Sequence, residues 1–352
     1  GNGQIPAATI NNSGTSPYTL NYTITPSANS CTGTVGTYSI TVNPAPVTTF
    51  SQGNQSICTG QNTTLVNLSS TTPNVTFAWS LQGAVPAGLG NFNPTSGTSS
   101  IPVYTNLTNN TPAPITVTLQ AQATTAGAAQ CPGALANYTI TVNPSPIVAA
   151  NFVSNDTVCS GQSVNIALSS TTAGTTFTWT AANGAGVTGG QNSAAPSATI
   201  NQALSNSSSA VGSVTYTITP NASSCNGAPL QVLAFVNPVA TISALASPTV
   251  CPAATITPTA FVSTPNGASF AWTNTNTAIG IGASGNGQIS PWAAPANNTN
   301  AAITGTVTVT PTYNGCAGTP SNFTVTINPT PTVTNNTLAQ SLCSGSSTTA
   351  VA

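Results

Sequence analysis

Eight cysteines carry most of the reactive chemistry this chain possesses, and they fall into two sets of four. Cys31, Cys131, Cys225 and Cys316 each precede, at one invariant spacing, the asparagine of an Asn-Pro pair, at Asn43, Asn143, Asn237 and Asn328. Cys58, Cys159, Cys251 and Cys343 follow the same asparagines at a nearly constant spacing. Thiols at fixed spacing either cross-link or hold a metal. The chain has no histidine, so no mixed Cys/His zinc site can form, and disulfides are the expected use. The rest of the inventory is nearly empty, with no Lys, Arg, His or Glu and a single carboxylate, Asp156, in 352 residues. Acid–base catalysis needs a positioned carboxylate, His or Lys. A nucleophilic hydroxyl needs a base, and a hard-cation site needs several oxygens that usually include carboxylates. No catalytic residue, metal site or cofactor is expected. Asp156, in "SNDTVCSG", reads as a solvated turn residue.

The same composition limits the partners. Without cationic side chains the chain cannot neutralise phosphates, the main source of nucleic-acid affinity. No run of about 18 apolar residues occurs, so membrane insertion by a helix is not expected. Neither a basic, then apolar leader nor an initiator Met opens the sequence, and it reads as a fragment or processed product.

The elements that must position the cysteines repeat with them. "YSITVNPAP", "YTITVNPSP", "LAFVNPVA" and "FTVTINPTP" place Asn-Pro at the regular positions 43, 143, 237 and 328, which is an array of domain-sized units. The boundaries are 1–44 for the latter part of a unit, 45–144, 145–238 and 239–329 for whole units, and 330–352 for the start of another. Runs such as "VTYTIT" (Val214 to Thr219) and "FTVTI" (Phe323 to Ile327) alternate apolar and polar residues, as half-buried strands do. Turn clusters such as "STPNG" separate them, and no stretch has helical spacing. An aromatic pair, Phe77/Trp79, Phe177/Trp179 and Phe270/Trp272, follows the second-set cysteine of each whole unit, again at a nearly constant spacing. Seven or so short strands in about 95 residues, with a Trp on the third, match an immunoglobulin-like sandwich. All six aromatics are expected in the core. In this register "TTLVNLSS" (Thr63 to Ser70) is strand B, the Trp strand is C, and the run ahead of Asn-Pro is G. Proline cannot donate to a ladder and holds its predecessor extended, so the Asn-Pro segments form stiff joints.

The succession "TVCSGQSVNI" (Thr157 to Ile166), "FTWT" (Phe177 to Thr180), "YTITP" with Cys225 and Gly227 beyond it, and a strand ending in Asn-Pro resembles the PKD-like and immunoglobulin-like tandem repeats of large cell-surface adhesins of Bacteroidota. These include gliding-motility adhesins exported by type 9 secretion. The resemblance covers essentially the whole chain. It implies an all-β, elongated rod of tandem sandwiches at an extracellular, cell-surface location, serving as the stalk of an adhesin or fibre. Asp156-Thr157-Val158 is similar to the O-glycosylation motif of that phylum, with Thr157 as acceptor. Asn-x-Ser/Thr sequons, at Asn62, Asn74, Asn106 and Asn221 among others, are what abundant Asn and Thr give by chance.

Disulfide pairing is narrowed by geometry. The second-set cysteine precedes strand B at one pole and the first-set cysteine lies in the F–G turn at the other. A seven-residue strand spans about 23 Å, beyond the Cα separation a disulfide tolerates. Facing poles of consecutive sandwiches would instead bring Cys58 to Cys225 and Cys159 to Cys316, leaving Cys31, Cys131, Cys251 and Cys343 with partners outside this sequence. The alternative is pairing within each unit: Cys58 to Cys131, Cys159 to Cys225, Cys251 to Cys316.

Two other functions remain open. Half a sandwich cannot bury its face alone, so a self-assembling filament or sheath subunit that exchanges strands between chains would account for the incomplete ends. Trp292, in "SPWAAPANN", has no counterpart in the other units and could stack on a sugar, as in a carbohydrate-binding module. Expected partners are neighbouring repeats or subunits of the same fibre and surface polysaccharide. Uncharged faces associate readily.

Overall fold

Period-two burial governs the long strands of the whole units. The computed structural model describes residues 3–152, 157–332 and 340–348. Among them the only helical element is a single 3-10 turn, Thr277–Ile279, and the rest is strand, turn and extended chain. In strand F of the second unit, Ile115–Thr125, the residues Ile115, Val117, Leu119, Ala121 and Ala123 face inward while the Thr and Gln between them face out. Its counterparts Gly212–Ala222 and Ile303–Tyr313 alternate in the same way.

Each whole unit is built on one larger sheet with the same strand order. In the third unit it runs A′ (Thr157–Cys159), G (Leu230–Asn237), F (Gly212–Ala222), C (Thr176–Asn183). The second and fourth units have A′ (Gln55–Cys58; Thr249–Val250), G (Ala136–Asn143; Ser321–Ile327), F, then C (Val75–Leu81; Ser269–Asn274), and a further edge strand. Neighbours are antiparallel except A′ and G, which run parallel, with Cys58 opposite Asn143 and Cys159 opposite Asn237. A smaller sheet closes the sandwich. It is regular only in the third unit, where A (Ala149–Ala150), B (Ser163–Ser169) and E (Thr199–Ala203) pair.

Strand B of the second unit falls short of the expected Thr63 to Ser70. Only Leu68–Ser69 is strand, with a lone bridge at Val66. The cause is pattern. "SVNIALS" in the third unit buries Val164, Ile166 and Leu168 in strict alternation, whereas "TTLVNLS" sets Leu65 beside Val66, and Leu65 is left exposed. In the fourth unit strand B shrinks to Thr255–Ile256.

Three separate cores result, one per whole unit. Trp79, Phe177 and Trp179 are buried in them, while Phe270 and Trp272 are half-buried and packed against the core of the fourth unit. Phe77 departs from expectation. It is half-buried and outside its unit's core cluster, where the stacked pair Phe92 and Tyr104, with ring centroids 4.3 Å apart, takes the central space. Each Trp lies across from an F-strand residue: Trp79 from Ala121, Trp179 from Ile218, Trp272 from Val309.

Among the described residues of 1–44 the strands are Tyr18–Ile24 and Gly36–Val42, paired antiparallel, and a short hairpin. Only the strand-free segment 4–10 lies beside their apolar face, which stays largely open: Tyr38 is 52% and Ile24 47% exposed.

Candidate functional site

The joint between consecutive sandwiches is where the repeated residues converge. Strand G of the second unit ends at Asn143-Pro144, and the chain continues extended into the third: Pro144, Pro146 and Val148 are buried while Ser145 and Ile147 face out. The same alternation occupies 44–48 and 238–240. Proline at the buried positions costs no ladder hydrogen bond and fixes the direction of entry.

Against this segment lies the F–G turn of the following sandwich. Ser223 and Ser224 adopt left-handed conformations, at φ 49° and 63°, which turn the hairpin so that Ala222 pairs with Cys225. Just beyond, Gly227 donates its N–H to the Pro220 carbonyl at 2.9 Å and passes directly over the Pro146 carbonyl oxygen. A Cβ at Gly227 would overlap that oxygen. Gly133 lies in the same way over Pro46, and Gly318 over Ala240. Cys-x-Gly is therefore a joint motif whose glycine permits backbone contact and whose cysteine, at Cys225 and Cys316, cross-links. Ser145 Oγ donates to the Asn226 carbonyl at 3.2 Å. At the next joint Asn237 and Asn314 side chains meet, with Asn314 Nδ2 donating to Asn237 Oδ1 at 3.3 Å, and the Ala240 carbonyl accepts from Thr319 N–H at 2.8 Å.

Cys58, at the end of strand A′ and beside Asn143, is bonded to Cys225, and Cys159, beside Asn237, is bonded to Cys316; both have Cα separations of 5.6 Å. Both bridges join consecutive sandwiches, and Cys225 and Cys316 are buried under them. Cys31, Cys251 and Cys343 are exposed thiols, and Cys131 is a half-buried one. An open groove of about 710 Å³ flanks the first joint, lined in part by Pro144, Pro146, Val148 and Leu230.

A second repeated constellation has no counterpart among the sequence expectations. Asn109, Asn206 and Asn297 are buried, and each amide makes the same set of bonds. Asn206 Nδ2 donates to the carbonyls of Ala210 (2.7 Å) and Val236 (2.8 Å), and its Oδ1 accepts from Ser208 N–H and Oγ. Asn109 does this with Ala113, Val142 and Thr111, and Asn297 with Ala301, Ile327 and Thr299. Asn12 repeats it with Ser16, Val42 and Gly14. The motif pins the loop ahead of strand F to the end of strand G, next to the joint. Its signal was present, because Asn12, Asn206 and Asn297 precede Asn43, Asn237 and Asn328 at one identical spacing, and Asn109 precedes Asn143 by slightly more. Three of these asparagines also match the glycosylation sequon, but buried amides with both hydrogens donated are not acceptors.

The remaining candidates take plain structural places. Trp292 is half-buried against the core of the fourth unit, pairs with Ile256 across two short strands, and donates its indole N–H to the Ile279 carbonyl at 2.8 Å. It is therefore not a freely exposed ring. Its polar edge is already occupied, and Gly280 lies against the ring. Thr157 is exposed at the start of strand A′. Asp156 lies outside the described residues.

Parallel A′–G pairing, a C-strand Trp over F, and one core per unit define the class as tandem immunoglobulin-like β-sandwiches. Within that class, residues 1–46 and 156–240 match the PKD-like domain family. No curated protein matches the chain. Among solved structures it is similar to an I-band fragment of titin, at 7% identity and a TM-score of 0.41 over 82% of this chain and 99% of that one. It is similar also to a segment of mouse cadherin-23, at 12% and 0.35 over 81% and 100%. For immunoglobulin domains of Sidekick-1 the values are 11% and 0.34 over 89% and 74%. The disulfides assign the chain to an oxidising environment outside the cytosol. Among the described residues no helix is long and apolar enough to cross a membrane.

Proposed function

We propose that this chain is a stalk segment of an extracellular, cell-surface adhesin or fibre, which holds distance and bears load without catalysis. The observation that carries this reading is the joint: consecutive sandwiches are covalently bridged, and the connecting chain is extended and buried against the next F–G turn. Tandem PKD-like segments support it, and the resemblance in "TVCSGQSVNI" and "FTWT" favours an adhesin of Bacteroidota exported by type 9 secretion. Its partners are further repeats of the same fibre, with surface polysaccharide as the natural ligand class, and Thr157 is the residue to test for O-linked sugar.

The largely exposed face of Tyr18–Ile24 and Gly36–Val42 favours a second reading, a filament subunit that borrows strands. Pooling 330–352 of one copy with 1–44 of another still lacks the Phe-x-Trp strand, however. Exchange of these ends alone does not rebuild a sandwich.

Small-angle scattering of the oxidised chain tests the stalk. A cross-section of one sandwich and a length of several is expected, independent of concentration. A compact particle would end this reading, and a length that grows with concentration would favour the filament.

A further inference from the structure

The two bridges are crossed in sequence, Cys58 to Cys225 and Cys159 to Cys316, and this order has a mechanical meaning. Each first-set cysteine lies at the pole of its sandwich nearest the preceding joint, and each second-set cysteine at the opposite pole. The chain from Cys31 to Cys58 therefore passes through strand G of the first unit, the joint, and strand A′ of the second, covering two units. The bridge hands it to Cys225, and the chain from there to Cys251 covers two more. A second path runs one unit out of step, from Cys131 to Cys159, across to Cys316 and on through strand G of the fourth unit, with Cys343 next along the chain. The four unbridged cysteines are the ends of these two paths.

The paths lie side by side. In the second sandwich A′ (Gln55–Cys58) of the first path is hydrogen-bonded in parallel to G (Ala136–Asn143) of the second. In the third the roles are exchanged, A′ (Thr157–Cys159) belonging to the second path and G (Leu230–Asn237) to the first. The fourth exchanges them again, through Thr249–Val250 and Ser321–Ile327.

We propose that the A′ and G strands with their bridges form a two-ply covalent cord running the length of the stalk, from which the rest of each sandwich hangs outside the line of force. The proposal rests on the stalk reading and gives it a mechanism. Tension reaching Cys58 passes through sulfur to Cys225, so the intervening chain, a sequence separation of 167, is never loaded end to end. Along the described first path, Tyr38–Val42, 44–50 and Leu230–Asn237 are strand or alternately buried extended chain and hold little slack. The bridged stalk is therefore almost inextensible. Without bridges, load passes through every sandwich in turn, and each can be pulled out to its full length.

Single-molecule stretching of the full chain tests this, with handles attached as thioethers to Cys31 and Cys251 and with Cys131→Ser and Cys343→Ser making attachment unique. Along the cord these points are separated by about 53 residues, or about 190 Å at about 3.5 Å per residue; along the backbone they are about 220 residues and about 770 Å apart. The oxidised chain should reach a contour length of about 190 Å with no sandwich-sized step, and reduction should add about 580 Å. Pairing within sandwiches would instead give about 540 Å in the oxidised chain, from Cys31 to Cys159 and Cys225 to Cys251. Either that value or about 770 Å before reduction would overturn the cord. Cys58→Ser with Cys225→Ser, which leaves the other bridge in place and frees no thiol, should lengthen the oxidised path to about 193 residues, about 680 Å, and an unchanged length of about 190 Å would also overturn it. Scattering separates the two failures: a rod that stretches fully while oxidised loses the cord and keeps the stalk, whereas a compact particle loses the stalk.

Discussion

At the scale of single residues, the joints depend on side chains that are neutral and fully bonded. Asn206 Nδ2 aims both hydrogens at carbonyl oxygens, so an isosteric acid there would place a carboxylate against two acceptors. Asn206→Asp should destabilise the third sandwich at pH 7 by about 3 kcal/mol, the scale of buried carbonyls left without donors. The site disfavours the ionised form, so the folded pKa of the new acid is raised above its unfolded value of about 3.9. The variant should thus keep more stability below about pH 4 and lose it as pH rises through the folded pKa. Denaturant titrations at pH 3 and 7 read this directly, and an equal deficit at both would contradict it. Gly227→Ala tests the backbone contact. Its Cβ meets the Pro146 carbonyl, which belongs to the extended joint and cannot rotate aside. The expected cost is about 2 kcal/mol or more, together with slower closure of the Cys58–Cys225 bridge on refolding, followed by trapping of free thiols. Gly53→Ala, where a Cβ meets nothing, should do neither.

At the scale of strands, stability should follow how completely each core is built. The third sandwich has the full B strand and buries both Phe177 and Trp179, whose indole N–H donates to the Gln191 carbonyl. Trp79 and Trp272 have buried indole nitrogens with no partner among the described residues, and the core of the fourth unit has the fewest buried hydrophobics. Amide exchange should be slowest in Gly212–Ala222 and Leu230–Asn237, faster in Ile303–Tyr313, and fastest in Tyr18–Ile24 and Gly36–Val42, which have no second sheet. Uniform protection across these five strands would show that cores do not set local stability. Strands C, F and G were legible in the sequence because "FTWT", "VTYTIT" and "FTVTI" alternate without error and Asn-Pro marks where G ends. Strand B in "TTLVNLS" was not, since two adjacent apolar residues suit neither face. The cysteine register was legible as a spacing, and the poles it implied followed from strand order. Asn206 and its relatives were hidden by composition: among so many Asn, Ser and Thr, a buried asparagine resembles a surface one until the loop folds over it.

At the scale of the whole molecule, the lack of charge makes the fold nearly indifferent to its ionic surroundings. No ion pair can form between side chains without Lys, Arg or His, so ionic strength has nothing to screen. Carboxylates, the usual cause of acid denaturation, are reduced to Asp156. Three buried phenols set the alkaline limit. Tyr216 donates to Gln202 Oε1 at 2.9 Å, Tyr104 to the Pro94 carbonyl at 2.8 Å and Tyr138 to the Gly53 carbonyl at 3.0 Å, bonds that exist only in the neutral form. Burial pushes Tyr216 up to about 12 and raises Tyr104 as well. Tyr138 is also raised by burial, partly offset by the hydrogen bond from Gln55. A folded pKa above the unfolded value of about 10 means that this stability is complete below about pH 10. It is lost as pH climbs from there through about 12 for Tyr216. Thermal midpoints of the oxidised chain should therefore stay level from pH 5 to 9 and between low and physiological salt, then fall above pH 10. Tyr216→Phe should move that fall to higher pH, because the replacement keeps the ring and removes the titrating hydroxyl. A midpoint that slopes steeply between pH 5 and 9 would mean that some other group, in a chain with one carboxylate and no basic side chain, controls folding.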